Sequence, residues 1–410
     1  MSEYYIYRLA SGVRCVRHYS PSPVAHLSIT IGAGTRDELP AEHGVAHLVE
    51  HLLFKGTTRR SAYRISSALE SVGGELNAFT SKEETVIHAS APAEFLGRGT
   101  DLLCDIAFNS LFKQSDIDDE CEVIIDEINS YKDSPYDLIF DEFEELIFAG
   151  SSLGRNILGS KSNIKGIKSV DLKRFTQSNY QPSQVVFALS SSLSVRRFES
   201  LCNRVFGSID WSTHSLASIV RTTPAKLAVF DVRRSKKLHQ THVLLGGYAY
   251  SAMNEKRIEL ALLLNILGGP TSIAFLNQLL REKYVLTYTV EASYSTFVDT
   301  GLWSIYFTSE VSKCERAERL IINELRRLSQ VEFTPIQLAR HKRQFIGQLV
   351  MSSENRENTM LSIAKSILLY DGYEENSAIA AKINSLTASS LREVAAEIFA
   401  ADNVSKLMYY

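Results

Sequence analysis

The stretch GVAHLVEHLLFKG, residues 44–56, contains two histidines and a glutamate within an apolar pattern of helical spacing. His47 and His51 are four residues apart and Glu50 is three residues after His47, so a helix places all three on one side. Two neutral imidazoles one turn apart can bind Zn²⁺, and a neighbouring carboxylate can hold a water molecule. The order HxxEH is the reversed form of the zincin motif. The stretch therefore predicts a zinc site on a helix of about residues 43–54.

The alternative is that three ordinary polar residues share one helix face. A single histidine is usually structural, but three specified residues in a fixed frame of five are expected by chance in only about one chain in a hundred. His43 lies one turn earlier and could be a further ligand, although it is better explained as the start of the helix. The zinc interpretation is therefore favoured over the structural one.

A third zinc ligand is expected from the acidic helical segment 116–132, since sites of this kind add a carboxylate to two histidines. Helical spacing predicts that its buried stripe consists of Ile117, Cys121, Ile124 and Ile128. Glu120 and Glu127 lie together along the edge of that stripe, whereas the other acids point away from it. The helix dipole alone would explain an acid in the first turn, so Glu127 is the better ligand candidate.

The composition excludes several classes of protein. Hydrophobic residues make up 45% of the 410 residues, charged residues make up 22%, and the formal net charge is −3. These proportions of hydrophobic and charged residues are typical of a globular protein. The near-neutral charge gives no basic surface for nucleic acid or an anionic membrane. No apolar run reaches the roughly 20 residues of a membrane span. The five cysteines are far apart and the first residues do not resemble a secretory signal, so a cytoplasmic location is expected.

The order of predicted elements indicates a duplicated module. A strand, a helix followed by glycine, a second helix and two strands occur at about residues 25–91 and again at about residues 241–308. The prediction is an α+β fold of two homologous modules, each a mainly antiparallel sheet packed with helices. The zinc-binding module is assigned to residues 1–207, a linker to 208–226, and a module without metal to 227–410.

Two segments around the histidines resemble the signature of a known enzyme family. GAGTRDE at residues 32–38 and HGVAHLVEHLLFKGT at residues 43–57 are similar to the pitrilysin family of zinc metallopeptidases, in the branch of the mitochondrial processing peptidases and their bacterial relatives. The resemblance implies a fold of the LuxS/MPP-like metallohydrolase type. It also implies a third zinc ligand 76 residues after the second histidine, which is Glu127, and a supporting acid seven residues earlier, which is Glu120.

The resemblance extends to two further segments. GGELNAFT at residues 73–80 is similar to the family's edge strand, which implies that the substrate binds along Asn77, Ala78, Phe79 and Thr80. REKYVLTY at residues 281–288 is similar to a segment whose Arg and Tyr, here Arg281 and Tyr288, contact the substrate carbonyl and the developing oxyanion. Without the resemblance, the first segment would be an ordinary strand, Arg281 a surface charge and Tyr288 a half-buried strand residue.

Some positions depart from the family pattern. Val285 stands where the family usually has glycine, Phe275 replaces an arginine, and residues 151–154 lack the usual His-Pro. These departures concern substrate preference and loop geometry, and they leave the predicted ligands unchanged.

The predicted function is that of a zinc metalloendopeptidase in which Glu50 is the general base. The family's single-chain members enclose a chamber with four domains, so the resemblance implies that two of these chains form a chamber for short or unfolded peptides. The partner would be an identical chain, giving a homodimer, or a homologous chain, giving a heterodimer. The alternative is a non-catalytic structural or partner subunit of the same fold, but such relatives have usually lost the ligands or the base.

Overall fold

The computed structural model describes residues 4–214 and 219–410, which divide into two compact units. Within the described residues, the first unit has the bounds Met1–Ser130, Arg155–Arg221 and Ser352–Tyr373. The second unit has the bounds Tyr131–Gly154, Thr222–Met351 and Glu374–Tyr410. The predicted boundaries at 207 and 227 stay a prediction, and residues 215–218 of the predicted linker lie outside the described residues.

The strands form one mixed sheet in each unit. Those of the first unit are β1 (Tyr4–Arg8), β2 (Arg14–Tyr19), β3 (Val24–Ile31), β4 (Glu75–Thr80), β5 (Thr85–Pro92) and β6 (Val185–Ser191). Those of the second unit are β7 (Asp231–Arg234), β8 (Thr241–Ala249), β9 (Val290–Thr296), β10 (Gly301–Ser309) and β11 (Ser405–Tyr409). The strand orders are β1-β2-β6-β3-β5-β4 and β7-β11-β8-β10-β9.

The helices, numbered along the chain, cover the faces of these sheets. The first seven are α1 (Val45–Leu52), α2 (Ala62–Glu70), α3 (Leu96–Phe108), α4 (Gln114–Lys132), α5 (Pro135–Ile147), α6 (Lys161–Ile164) and α7 (Ser169–Asn179). The others are α8 (Val195–Phe206), α9 (Arg257–Gly268), α10 (Val311–Gln330), α11 (Pro335–Ser352), α12 (Arg356–Tyr370), α13 (Asn376–Ser385) and α14 (Ala388–Ile398). A π-helix spans Asn277–Lys283. No helix within the described residues combines the length and apolar character needed to cross a membrane.

The two sheets share one pairing pattern. In the first, β2 and β6 are parallel, and β6–β3, β3–β5 and β5–β4 are antiparallel. In the second, β7 and β11 are parallel, and β11–β8, β8–β10 and β10–β9 are antiparallel. The predicted α+β fold of two modules with mainly antiparallel sheets is confirmed. The matching order and directions support duplication of one module.

Each sheet is covered on one face by a helix from the other half of the sequence. Helix α5 lies in the second unit, where Ile139, Phe143 and Ile147 join a core cluster with Leu244 of β8 and Leu407 of β11. Helix α12 lies in the first unit and packs against β2, β3 and β6. Its apolar residues Met360, Ile363 and Ile367 form a cluster with Val16 and Val186. Helix α5 is the third α-helix after β5, and α12 is the third α-helix after β10. The modules have therefore exchanged equivalent helices.

Some predicted elements have different bounds. The predicted helix 43–54 is shorter because Gly44 adopts φ +104°, a left-handed conformation, directly before α1. The predicted loop 150–166 contains the short helix α6. The predicted strand 286–293 begins only at Val290, because Val285 turns the chain with φ +50°.

Candidate metal centre

The start of α1 is fixed by a buried carboxylate. Glu38, which is 4% exposed, accepts hydrogen bonds from the backbone N–H groups of Gly44 at 3.0 Å and Ala46 at 2.8 Å. These groups have no intrahelical acceptor at a helix N-terminus, so the Glu38 oxygens supply the missing partners. Burial raises the pKa of Glu38 to about 8, although the Ala46 and Gly44 donors lower it. Glu38 therefore sets the position from which the predicted zinc-binding residues project.

Gly44 is required at this position by both conformation and space. A Cβ atom there would lie 2.4 Å from Cδ1 of Ile164. The neighbouring His43 pairs through Nε2 with the backbone carbonyl of Asn156 at 2.7 Å. This contact agrees with the interpretation of His43 as a residue of the helix start rather than a metal ligand.

The donor atoms of His47, His51 and Glu127 lie within 4.8 Å of one another. Oε2 of Glu127 is 3.8 Å from Nε2 of His47 and 3.8 Å from Nε2 of His51. Tetrahedral zinc, with bonds of about 2.0–2.2 Å, places its ligand atoms about 3.3–3.6 Å apart, so a small inward shift satisfies the geometry. No second group of this kind occurs within the described residues. Two imidazoles and one carboxylate also match the chemistry of a catalytic zinc site.

His47 is held in the form that binds a metal. Its side chain is 9% exposed, and burial, followed by the neighbouring His51, lowers the pKa of His47 to about 3. The imidazole is therefore neutral across the physiological range, as a ligand must be. Its Nδ1 atom is buried and has no hydrogen-bond partner within the described residues.

His51 is oriented by a chain of two charged residues. Its Nδ1 atom lies 2.8 Å from Oε2 of Glu120, and Lys55 forms an ion pair with the other oxygen of that carboxylate. Burial raises the pKa of Glu120, but the bonds from Lys55 and His51 outweigh it, so the pKa lies below its ordinary value. An ionised Glu120 accepts the Nδ1–H proton and leaves the Nε2 lone pair directed to the Glu127 side. Glu120 thus supports the site without being one of the three donors.

Glu50 lies on α1 beside the end of β4. Burial raises the pKa of Glu50, whereas Thr80 and His51 lower it and Glu127 raises it further. The carboxylate is therefore more basic than an exposed glutamate, which suits a proton acceptor.

The predicted substrate strand is an edge strand. β4 pairs only with β5 and stands at the end of its sheet, so one side of its backbone has no strand partner within the described residues. Asn77 and Phe79 are exposed, while Ala78 and Thr80 alternate with them and are half-buried on the face where α1 packs. An extended peptide could add to this free edge by backbone hydrogen bonds.

Arg281 and Tyr288 lie in the second unit. Arg281 belongs to the π-helix, its side chain is 52% exposed, and it contacts Glu282 at 3.3 Å. Tyr288 is 76% exposed. Between them Val285 adopts a left-handed conformation, which is costly for a β-branched residue and explains why glycine is usual there in the family. The predicted contact of Arg281 and Tyr288 with substrate stays a prediction.

Sequence reasoning did not assign roles to two residues of the site. Lys55 is four residues after His51, so its place on the same helix face was available as a signal. Glu38 offered no such signal, because its contacts with Gly44 and Ala46 depend on the turn between them.

Replacing Glu120 with glutamine is expected to weaken zinc binding by about 10–100-fold. Glutamine can still accept the hydrogen bond from His51, but it loses the charge that pairs with Lys55. Competition with a chromophoric chelator measures the zinc dissociation constant of each variant. Glu122→Gln is the matched control, because Glu122 is on the same helix and its side chain is 71% exposed. Equal zinc affinity in the two variants would contradict the supporting role of Glu120.

Two family models match consecutive parts of the chain. Residues 14–161 match the model described as Insulinase (Peptidase family M16), and residues 167–345 match the model described as Peptidase M16 inactive domain. An uncharacterized zinc protease of Streptomyces coelicolor is 32% identical over 395 residues, covering 95% of this chain and 86% of the relative. An uncharacterized zinc protease of Bacillus subtilis is 28% identical over 398 residues, covering 97% and 96%.

Two solved structures share the fold over almost their whole lengths. A protease from Helicobacter pylori superposes with a TM-score of 0.92 at 19% identity, covering 100% of both chains. A structure described as the peptidase M16 inactive domain from Pseudomonas fluorescens superposes with a TM-score of 0.90 at 18% identity, covering 99% of this chain and 98% of that one. At these identities the likeness shows the fold alone.

Proposed function

Because the chain belongs to the peptidase M16 family, we propose that it is a zinc metalloendopeptidase acting on short or unfolded peptides. The observation that carries the proposal is the convergence of His47, His51 and Glu127 beside a basic Glu50. A zinc ion bound by these three residues would polarise the scissile carbonyl and acidify a water molecule.

The residues of this chain supply the proton transfers and the substrate contacts. Glu50 accepts the proton of the attacking water and returns it to the leaving amine. The free edge of β4 holds the peptide backbone extended, with Ala78 and Thr80 on the side of α1. Glu120 keeps the His51 ring in place during these steps.

Several finer predictions remain part of this proposal and rest on the family resemblance. They are the chamber formed by two chains, the homodimer or heterodimer that would build it, and the contribution of Arg281 and Tyr288. The cytoplasmic location, which rests instead on the cysteines and the first residues, also belongs to the proposal. Light scattering of the purified protein measures the number of chains in the assembly.

The function is tested by metal analysis and peptide cleavage on the same preparation. We expect about one zinc per chain, cleavage of a quenched unfolded peptide, loss of cleavage with a chelator, and recovery when Zn²⁺ is restored. Full zinc content with no cleavage of a diverse peptide library would overturn the enzyme proposal and favour the non-catalytic subunit.

A further inference from the structure

The duplicated topology allows equivalent positions of the two units to be compared. β2, β6 and β3 of the first sheet correspond to β7, β11 and β8 of the second, with the same pairing directions. Helices α3 and α10 also correspond. Helix α3 is the first α-helix after β5, which pairs with β3, and α10 is the first α-helix after β10, which pairs with β8. The units differ at a position beside these two helices.

In the first unit, α8 covers the sheet beside α3. It packs against α3 and β2, and its side chain Phe198 stacks on Phe187 of β6 with ring centroids 6.2 Å apart. Phe206, at the other end of α8, lies 5.3 Å from the same ring. Phe187 in turn stands opposite Cys15 of β2 and Ile29 of β3. A helix with an apolar face is thus the structure that this part of the fold accommodates.

In the second unit, the described residues supply no counterpart of α8. The same location holds a cavity of about 450 Å³, here called the α10 groove, lined by residues of α10, β7, β11 and the end of α14. Its apolar wall includes Ile322, Leu325 and Phe399. A volume of this size can receive large apolar side chains.

The α10 groove contains a buried lysine between two carboxylates and an exposed arginine at one side. Lys406 lies on β11, the strand that corresponds to β6, and stands opposite Asp231 of β7 and Leu245 of β8. Its Nζ atom is 2.9 Å from Asp231 and 2.9 Å from Glu318, and its side chain is 10% exposed. Arg326 also lines the groove, is exposed and makes no ion pair within the described residues. A ligand of the groove would therefore gain from a carboxylate at the position that lies against Arg326.

We propose that the α10 groove binds an amphipathic helix of a partner protein, with bulky apolar side chains in the cavity and an acidic side chain against Arg326. The partner helix occupies in the second unit the place that α8 occupies in the first. This interaction is independent of the proposed peptidase activity, because each residue that carries it belongs to the second unit and the candidate metal centre to the first.

The test uses two fluorescent peptides derived from α8 and the full-length protein. One has the sequence of residues 194–207, and the other carries Arg197→Glu and Arg204→Glu on the flank of the apolar face. Fluorescence anisotropy is expected to show saturable binding, with the acidic peptide about tenfold tighter because repulsion by Arg326 becomes attraction. Arg326→Glu should reverse this preference. Arg340→Glu, at an exposed position of α11, should leave it unchanged.

A second variant tests the groove itself. Ala396 lines the groove and is exposed, so Ala396→Trp fills the space from its rim without entering the core, and it should abolish binding of both peptides. Ala396→Ser is the control and should bind as the unchanged chain does. Binding that persists in Ala396→Trp, or no saturable binding below about 1 mM, would overturn the proposal. So would a small molecule retained in the groove in native mass spectra, or a dimer of this chain that only Ala396→Trp dissociates.

Discussion

Glu50→Gln is expected to reduce kcat for peptide cleavage by about 10²–10⁴-fold while the protein keeps its zinc. Glutamine has nearly the shape of glutamate but cannot accept the proton of the attacking water. The candidate metal donors are His47, His51 and Glu127, so the substitution leaves all three in place. Cleavage of a quenched peptide under saturating conditions gives kcat, and metal analysis of the same sample gives the zinc content.

The control for this variant is Glu70→Gln, because Glu70 is exposed on α2 and makes no ion pair within the described residues. It should cleave the peptide as the unchanged chain does. A Glu50→Gln protein with full activity would show that another group accepts the proton. A protein that lost both zinc and activity would indicate that Glu50 supports the metal rather than the chemistry.

Glu127→Ala is expected to weaken zinc binding more strongly than Glu120→Gln does. The loss expected for Glu120→Gln is about 10–100-fold. The substitution removes a donor atom from the group, whereas Glu120→Gln changes only the support of His51. Cleavage should fall with zinc occupancy and return partly at high Zn²⁺ concentration. Equilibrium dialysis against buffered zinc measures the affinity, and circular dichroism checks that the fold is kept.

The matched control is Asp126→Ala, since Asp126 is the preceding residue of α4, exposed and outside the donor group. Its zinc affinity should equal that of the unchanged chain. If Glu127→Ala bound zinc as tightly as this control, the third ligand would have to be sought elsewhere. Loss of secondary structure in Glu127→Ala alone would instead assign Glu127 a role in folding.

The local part of the candidate site could be predicted because helices repeat regularly. A spacing of four brings His47 and His51 together in any helix, and the periodicity of α4 places Glu120 and Glu127 on one edge. The structure brings both glutamates to α1. Local periodicity could not show that Lys55 and His51 meet the same carboxylate of Glu120, because that contact depends on how α1 and α4 pack.

The topology was less accessible from the sequence. Alternation and turn residues locate β2 and β6, but their parallel pairing joins segments separated by most of the first module. The exchange of α5 and α12 could not be predicted, because an apolar helix face does not specify which sheet it will cover. Helix α7 was not predicted either, since only Leu172 and Phe175 are buried along its length.

The helix exchange has a consequence for the protein during its synthesis. The first half of the sequence supplies strands and helices of the first unit as far as the end of α8 at Phe206. The same unit also needs α12, which ends at Tyr370, about 160 residues later. At about 5–20 residues per second, the ribosome needs roughly 10–30 s to supply that helix. During this interval Val16 and Val186 lack the cover that Met360 and Ile367 later provide. We therefore expect the nascent first module to expose this apolar face until translation is nearly complete.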